Sequence, residues 1–248
     1  AGLAAAGMVP FCNIYSTFMQ RAYDNVIHDV AIQDLPVVMC LDRGGLVGED
    51  GATHHGAFDL AYFGCIPNLT VASPLDEREL RNLLYTALQS GVPFVVRYPR
   101  GKGEGAAWRD EAFERLPIGR GRRLTEGDDM AVLTIGPVGN VAARAVKRAA
   151  AEGVLAAHYD LRFARPLDEE LLDEVGRRFE QVVTVEDGVV RGGVGSAVRD
   201  FFDRRGYRTQ VRSLGIPDDR FVEHGTPAEL YAQCGFDEEG ILRAILGC

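Results

Sequence analysis

The stretch Gly48-Glu49-Asp50-Gly51-Ala52-Thr53-His54-His55-Gly56 sets two acids and two imidazoles among three glycines. Histidine titrates near neutral pH, so it can donate or accept a proton in a reaction. Glycine lets backbone approach a ligand closely and take dihedrals closed to other residues. Proton transfer or ligand binding is the first reading of this loop. A metal site is the second, with Asp50, His54 and His55 as N and O donors. Adjacent His54 and His55 seldom face one ion, and no third His or Cys lies nearby in sequence, so no metal ligand is assigned. A purely structural loop is the third reading.

Two arginines, Arg43 and Arg100, follow the apolar runs at 35–41 and 93–98. Strand ends are rigid places from which to aim a guanidinium. Arginine grips a phosphate or carboxylate through two parallel hydrogen bonds, each contributing ~1.5–3 kcal/mol. Each could equally pair with Asp42 or Asp50 as a structural bridge, and the pattern leaves that choice open. Phe18 and Arg21 lie one turn apart, and on spacing alone they read as a core aromatic and a surface cation. His28, His158 and His224 show no partner in the pattern and read as structural. Further on, Glu186-Asp187-Gly188 ends a strand, and Gly192-Gly193-Val194-Gly195-Ser196 opens a helix. Those glycines fit tight helix-on-sheet packing better than a dinucleotide fingerprint, because the third glycine is missing.

The elements that must position these residues alternate. Strands are expected at 9–15, 35–41, 69–73 and 93–98, and helices at 18–34 and 76–90. Asp76 is the expected cap of the second helix. After a Gly- and Pro-containing linker at 101–121 the rhythm restarts. Strands are expected at 130–135, 155–160, 181–185 and 209–213. Helices are expected at 141–152, 168–179, 195–205, 227–234 and 237–246. Strands alternating with helices imply parallel sheets with right-handed crossovers. The expected fold is α/β with two doubly wound domains, at 1–117 and 118–248. Ligands in such sheets sit beyond the carboxyl ends of strands. Arg115, Arg120, Arg122 and Arg123 read as a solvated linker surface.

Composition narrows the function classes. With 248 residues, 46% hydrophobic and 25% charged, the chain can bury a core. The net charge of −9 argues against binding a phosphate backbone non-specifically, so no nucleic-acid partner is expected. No apolar run approaches the ~20 residues of a membrane helix, so no membrane partner is expected. Five cysteines at 12, 40, 65, 234 and 248 form no C-x-x-C pair and read as reduced thiols of a cytoplasmic protein. Cys40 and Cys65 sit in apolar segments and read as core residues. Ala1–Gly7 lacks the basic start of a signal peptide and reads as the tail of a helix, hence of a longer chain.

Ile14-Tyr15-Ser16-Thr17-Phe18-Met19-Gln20-Arg21-Ala22-Tyr23-Asp24 resembles a signature of the 1-deoxy-D-xylulose-5-phosphate synthase family. So do Asp42-Arg43-Gly44-Gly45 with the loop through His54, and Arg97-Tyr98-Pro99-Arg100-Gly101. Ser73-Pro74, Tyr159-Asp160-Leu161-Arg162-Phe163 and Glu186-Asp187-Gly188 extend the likeness over almost the whole chain. The Gly-Glu-Asp-Gly-x-Thr-His run occurs in transketolase too.

The resemblance implies a transferase that uses thiamine diphosphate and magnesium. It joins pyruvate to D-glyceraldehyde 3-phosphate, releases carbon dioxide and feeds isoprenoid, thiamine and pyridoxal synthesis. It implies a truncated pyrimidine-binding domain followed by a transketolase C-terminal-type domain. Metal and diphosphate would be held mainly by an absent N-terminal domain. Carried over by position, Phe18 would stack on the aminopyrimidine ring with Arg21 beside it. Tyr15, Arg43 and Arg100 would hold the phosphate of glyceraldehyde 3-phosphate. Asp50 and His54 would serve near the reacting carbons, with His55 a bystander.

The family's glutamate that protonates the pyrimidine lies upstream of Ala1, so the 248 residues are not expected to catalyse alone. A homodimer is implied, bacterial or plastid in origin. The competing readings are another transketolase-like half, the beta subunit of a 2-oxo acid dehydrogenase, and a non-catalytic dimerising remnant.

Overall fold

The computed structural model describes residues 1–247; Cys248 lies outside them. Two five-stranded sheets organise the chain. The first contains β1 (Phe11–Tyr15), β2 (Val38–Asp42), β3 (Thr70–Ala72), β4 (Phe94–Arg97) and β8 (Phe163–Arg165), in the order β1-β2-β4-β3-β8. The second contains β5 (Arg122–Thr125), β6 (Met130–Ile135), β7 (Ala156–Asp160), β9 (Gln181–Val189) and β10 (Gln210–Ile216), in the order β10-β9-β6-β7-β5.

The central strands form where the sequence is continuously apolar. Val38 to Leu41 and all of Met130–Ile135 are buried, as strands covered on both faces must be. β1, β2 and β4 lie side by side and parallel, with Tyr15 opposite Asp42 and Leu41 opposite Arg97. Neighbouring strands run ~4.8 Å apart. The carboxyl ends of these three therefore deliver Tyr15, Arg43 and the segment leading to Arg100 to one edge.

Each sheet also carries an antiparallel edge strand, which the alternating pattern did not suggest. β8 joins β3 and β5 joins β7 in antiparallel fashion. β8 follows β7 in the chain yet crosses to the first sheet. One core cluster accordingly draws on both sheets, including Met39, Leu41, Val71 and Val95 from the first with Leu133 and Tyr159 from the second.

Three of the helices begin at an aspartate cap. The Asp76 carboxylate accepts the Glu79 N–H (2.8 Å) ahead of α5 (Glu77–Ser90), and Asp168 accepts that of Leu171 (3.1 Å) ahead of α7 (Glu169–Arg178). The single helix expected at 18–34 is instead a broken run. It comprises α2 (Ser16–Met19), a 3₁₀ turn Gln20–Ala22, α3 (Tyr23–Asn25) and a π-helical stretch Val26–Ala31. Leu35 N bonds Val30 O across five residues (3.0 Å). Apolar spacing over so short a run does not distinguish i+4 from i+5 bonding. Met19, Val26, Val30 and Ala31 all reach the core regardless.

The arginine tract is not a free linker surface. Arg122 pairs with Asp160 (3.1 Å) and with Glu79 on α5 (3.0 Å), and Arg120 pairs with Asp168 (3.1 Å). Glu79 also receives Arg162 Nε (2.6 Å) and the Leu75 N–H (2.6 Å). Burial, with Glu79 second, pushes the Asp160 carboxyl up to about 7. Cys40 is buried as expected; Cys65 is exposed, its thiol bonded to the Tyr62 carbonyl (3.1 Å). No helix among the described residues is long and apolar enough to cross a membrane.

Candidate functional site

Tyr15, at the last position of β1, is the hub of the strand-end residues. Its ring lies 4.8 Å from that of Phe18 and 5.6 Å from that of His54, and Phe18 and His54 are 5.7 Å apart. The Arg43 guanidinium stacks over the Tyr15 ring at 4.9 Å. The Tyr15 hydroxyl donates to Asp50 Oδ2 (3.2 Å), and the same oxygen pairs with Arg100 (3.3 Å). Six of the seven candidate residues thus form one connected group. Arg21 is the exception: it is exposed and makes no ion pair or hydrogen bond among the described residues.

Both arginines take the acidic partners that the pattern offered them. Arg43 pairs with Asp42, and Arg100 with Asp50, yet each arginine side chain stays 42% exposed. Their outward faces remain able to take an anion. Arg43 holds φ 58°, a left-handed conformation that costs an L-residue roughly 1–2 kcal/mol. Phe18 is not a core aromatic: it is 52% exposed. Partial burial and the Asp50 carboxylate push the Tyr15 hydroxyl up to about 12, so it remains a proton donor at neutral pH. His54 Nδ1 bonds the Thr53 hydroxyl (2.7 Å), and its Nε2 makes no hydrogen bond among the described residues, which leaves it for a ligand.

The glycine loop is closed at its base by Gly45 and Gly56, which exchange both backbone hydrogen bonds (2.9 and 2.8 Å). Its glycines serve close packing against protein atoms. A Cβ on Gly44 would meet Arg97 Nε at 2.6 Å, and one on Gly45 would meet Asp187 Oδ2 at 1.9 Å.

Beneath the loop lies a buried ionic network that the sequence reading did not single out. Arg97 Nε donates to both Asp59 oxygens (3.1 Å each), and its Nη2 reaches the carbonyls of Gly56 and Asp187. Asp187 accepts the Leu46 N–H (3.1 Å) and the Tyr231 hydroxyl (2.8 Å). Ser16 Oγ donates to Asp59 (2.7 Å). The one sequence signal was an arginine closing the otherwise apolar strand Phe94–Arg97.

Glu186 and Asp187 do not end a strand; they lie inside β9, buried. Glu186 accepts the N–H groups of Val194 (3.0 Å) and Gly195 (2.9 Å) at the start of α8 (Val194–Arg205). Burial pushes its carboxyl up to about 7. A Cβ on Gly195 would strike Thr184 Oγ1 at 2.4 Å, consistent with glycine chosen for helix-on-sheet packing. His158 is fully buried; Nε2 meets Thr134 Oγ1 (3.0 Å) and burial lowers the ring to about 4, so it stays neutral.

A cavity of about 700 Å³ opens elsewhere, between residues 57–62 and 216–222. None of the seven candidate residues lines it; His55 does. No group of three or more His, Cys, Asp or Glu able to hold a metal ion occurs among the described residues.

Two sheets joined by an exposed linker, with a strand-end site on the first, correspond to a known pair of domains. The chain belongs to the transketolase family: residues 1–104 match its pyrimidine binding domain and residues 119–241 its C-terminal domain. Among particular proteins, it is 60% identical over 247 residues to the 1-deoxy-D-xylulose-5-phosphate synthase of Bacteroides thetaiotaomicron, covering 99% of this chain and 38% of that protein. It is 49% identical over 245 residues to the protein of the same name from Aquifex aeolicus, covering 99% of this chain and 38% of that one. The chain thus spans about 38% of the length of these relatives. A solved structure titled "Split gene transketolase, inactive beta4 tetramer" superposes with TM-score 0.86 at 28% identity, over 99% of this chain and 77% of that one.

Proposed function

We propose that this chain forms the pyrimidine- and acceptor-binding part of a thiamine-diphosphate-dependent 1-deoxy-D-xylulose-5-phosphate synthase. That enzyme condenses pyruvate with D-glyceraldehyde 3-phosphate and releases carbon dioxide. The observation that carries the reading is the convergence of Tyr15, Phe18, Arg43, Asp50, His54 and Arg100 on one face. The relatives' name, 1-deoxy-D-xylulose-5-phosphate synthase, supports the same reading.

The residues present suit the cofactor's ring. Phe18 offers a half-exposed aromatic face beside Tyr15 and His54, the kind of surface on which a flat heterocycle stacks. Arg21 follows it by one turn. When bound, thiamine diphosphate supplies the electron sink for decarboxylation. Arg43 and Arg100 hold the acceptor's phosphate through charge-assisted hydrogen bonds. The protonated Tyr15 hydroxyl adds a neutral donor. Asp50 keeps Arg100 and Tyr15 in place, and His54 Nε2 moves a proton at the substrate oxygen.

In this reading 1–117 is the pyrimidine-binding domain and 118–248 the C-terminal domain. Magnesium and the diphosphate belong to residues outside this chain, the 248 residues alone are inactive, and the whole protein is a homodimer of the bacterial cytoplasm. The test is an assay of the full-length protein with pyruvate, D-glyceraldehyde 3-phosphate, thiamine diphosphate and magnesium. Carbon dioxide and a five-carbon ketose phosphate in equal amounts support it. Turnover of pyruvate that ignores the aldehyde phosphate contradicts it.

A second reading is favoured by one observation, the split gene transketolase among the structural neighbours. Here the chain is a separate subunit completed by a partner chain. The mass of the freshly purified native protein distinguishes a single long chain from two.

A further inference from the structure

His55, next to His54 in the glycine loop, is 5% exposed and bonded at both ring nitrogens. Nδ1 accepts the Val47 N–H (3.1 Å), and Nε2 donates to the Glu223 carbonyl (3.1 Å). A backbone N–H can only donate and a carbonyl can only accept, so the partners fix a neutral ring with its proton on Nε2. Val47 in turn accepts Arg100 Nη1 at its carbonyl (3.1 Å). Arg100 then pairs with Asp50, which holds the Tyr15 hydroxyl. A continuous run of polar contacts therefore links the backbone of the second domain to the guanidinium of the candidate phosphate site.

The loop is seated on the same segment by other contacts. Gly225 N–H reaches the Gly48 carbonyl (3.4 Å). A Cβ on Gly48 would lie 3.1 Å from both the Gly225 carbonyl oxygen and Pro227 Cδ, and one on Gly51 would lie 3.3 Å from His224 Cβ. Residues 223–227 thus form a floor under residues 47–51, and His55 is the side chain that bonds both.

We propose that His55 is a positioning residue through which the second domain sets the placement of Arg100. Without the ring, Val47 loses its anchor and the Val47 carbonyl no longer fixes the guanidinium. The proposal rests on the phosphate role given to Arg100 above. It assigns the C-terminal domain a part in acceptor binding without any of its side chains touching the acceptor.

The test uses the full-length protein with His55→Ala, His55→Gln and Arg100→Ala. Glutamine offers one acceptor and one donor, as the neutral ring does. His55→Ala is expected to raise the KM for D-glyceraldehyde 3-phosphate about tenfold, the loss of one ordinary hydrogen bond's worth of placement. The KM for pyruvate should stay within about twofold on the same scale. Backbone amides of residues 46–54 should exchange faster with solvent while those of β2 and β4 do not, and His55→Gln should restore both readouts.

If Arg100→Ala raises the acceptor KM and His55→Ala does not, the positioning claim alone is overturned. If neither raises it, the phosphate reading fails and the positioning claim with it. An equal rise in both KM values that His55→Gln does not restore marks a merely structural residue and also overturns the proposal.

Discussion

Two regions on either side of the glycine loop's base use the same residue types to opposite ends. At the strand ends, Arg100 and Asp50 pair with side chains 42% and 37% exposed. Beneath them, Arg97 and Asp59 pair with both side chains 1% exposed. An exposed pair contributes ~0–1 kcal/mol and can exchange its partner for a ligand at little cost. The buried pair is held by further hydrogen bonds, from Arg97 Nη2 to two carbonyls and from Ser16 Oγ to Asp59, and removing one partner leaves a bare charge in a dry interior. The surface pairs are therefore suited to binding, and the buried network to holding the glycine loop against the second domain. Residue type alone does not separate these roles; burial does.

The comparison can be broken most directly through His54. In the full-length protein, His54→Ala should lower turnover by ~10²–10⁴ with the fold kept, the range for losing a positioned acid–base group. Steady-state rates near wild type would remove His54 from the mechanism and leave the exposed face with a binding role only. The reverse is expected beneath the loop. Arg97→Met should lower the unfolding free energy by about 3–5 kcal/mol in chemical denaturation, because Asp59 and Asp187 lose their buried cation. A midpoint unchanged from wild type would show that the network is dispensable.

Two buried groups of the second sheet should titrate with opposite signs. Burial raises Glu186 from 4.5 to about 7, so the folded protein holds that proton where the unfolded chain has released it. Its contribution to stability is full below about pH 4.5 and is lost as pH rises through about 7, at most about 3 kcal/mol over that window. Buried His158 has the opposite sign. Its ring is lowered from 6.5 to about 4, so its contribution is full above pH 6.5 and is lost as pH falls through about 4. Denaturation midpoints measured from pH 4.5 to 8 should therefore fall less with rising pH in Glu186→Gln than in wild type. Parallel slopes would mean that Glu186 does not titrate in this range.

Much of this arrangement was legible before any coordinates. The run Met130–Ile135 reads as a strand because it is short and apolar but for Thr134, and the structure buries all six residues. Asp76 reads as a cap because the helix behind it needs an acceptor for its first N–H groups. Arg43 and Arg100 were traceable to strand ends, and the glycine loop between them to the same cluster of side chains. Other features had no local signal. β8 is three residues long and pairs with a strand almost a hundred residues earlier, so its place depends on tertiary packing. β5 is rich in arginine and reads as solvated, until its partners Glu79, Asp160 and Glu174 are brought beside it by other elements. Likewise the second histidine of the loop looks idle until Glu223 arrives from the far end of the chain. Phe18 sits at helical spacing with core residues, and only the end of β1 turns it outward beside Tyr15.

The central claim is that Arg100, together with Arg43 and Tyr15, recognises the phosphate of the acceptor. The measurement that tests it most directly is the ratio of kcat/KM for D-glyceraldehyde 3-phosphate to that for unphosphorylated D-glyceraldehyde, in wild-type and Arg100→Ala full-length protein. Loss of charge-assisted bonds to the phosphate predicts that this ratio falls about 10- to 100-fold in the variant. Stability should change by no more than about 1 kcal/mol, because the Arg100–Asp50 pair is exposed. An unchanged ratio in a folded variant would contradict the account.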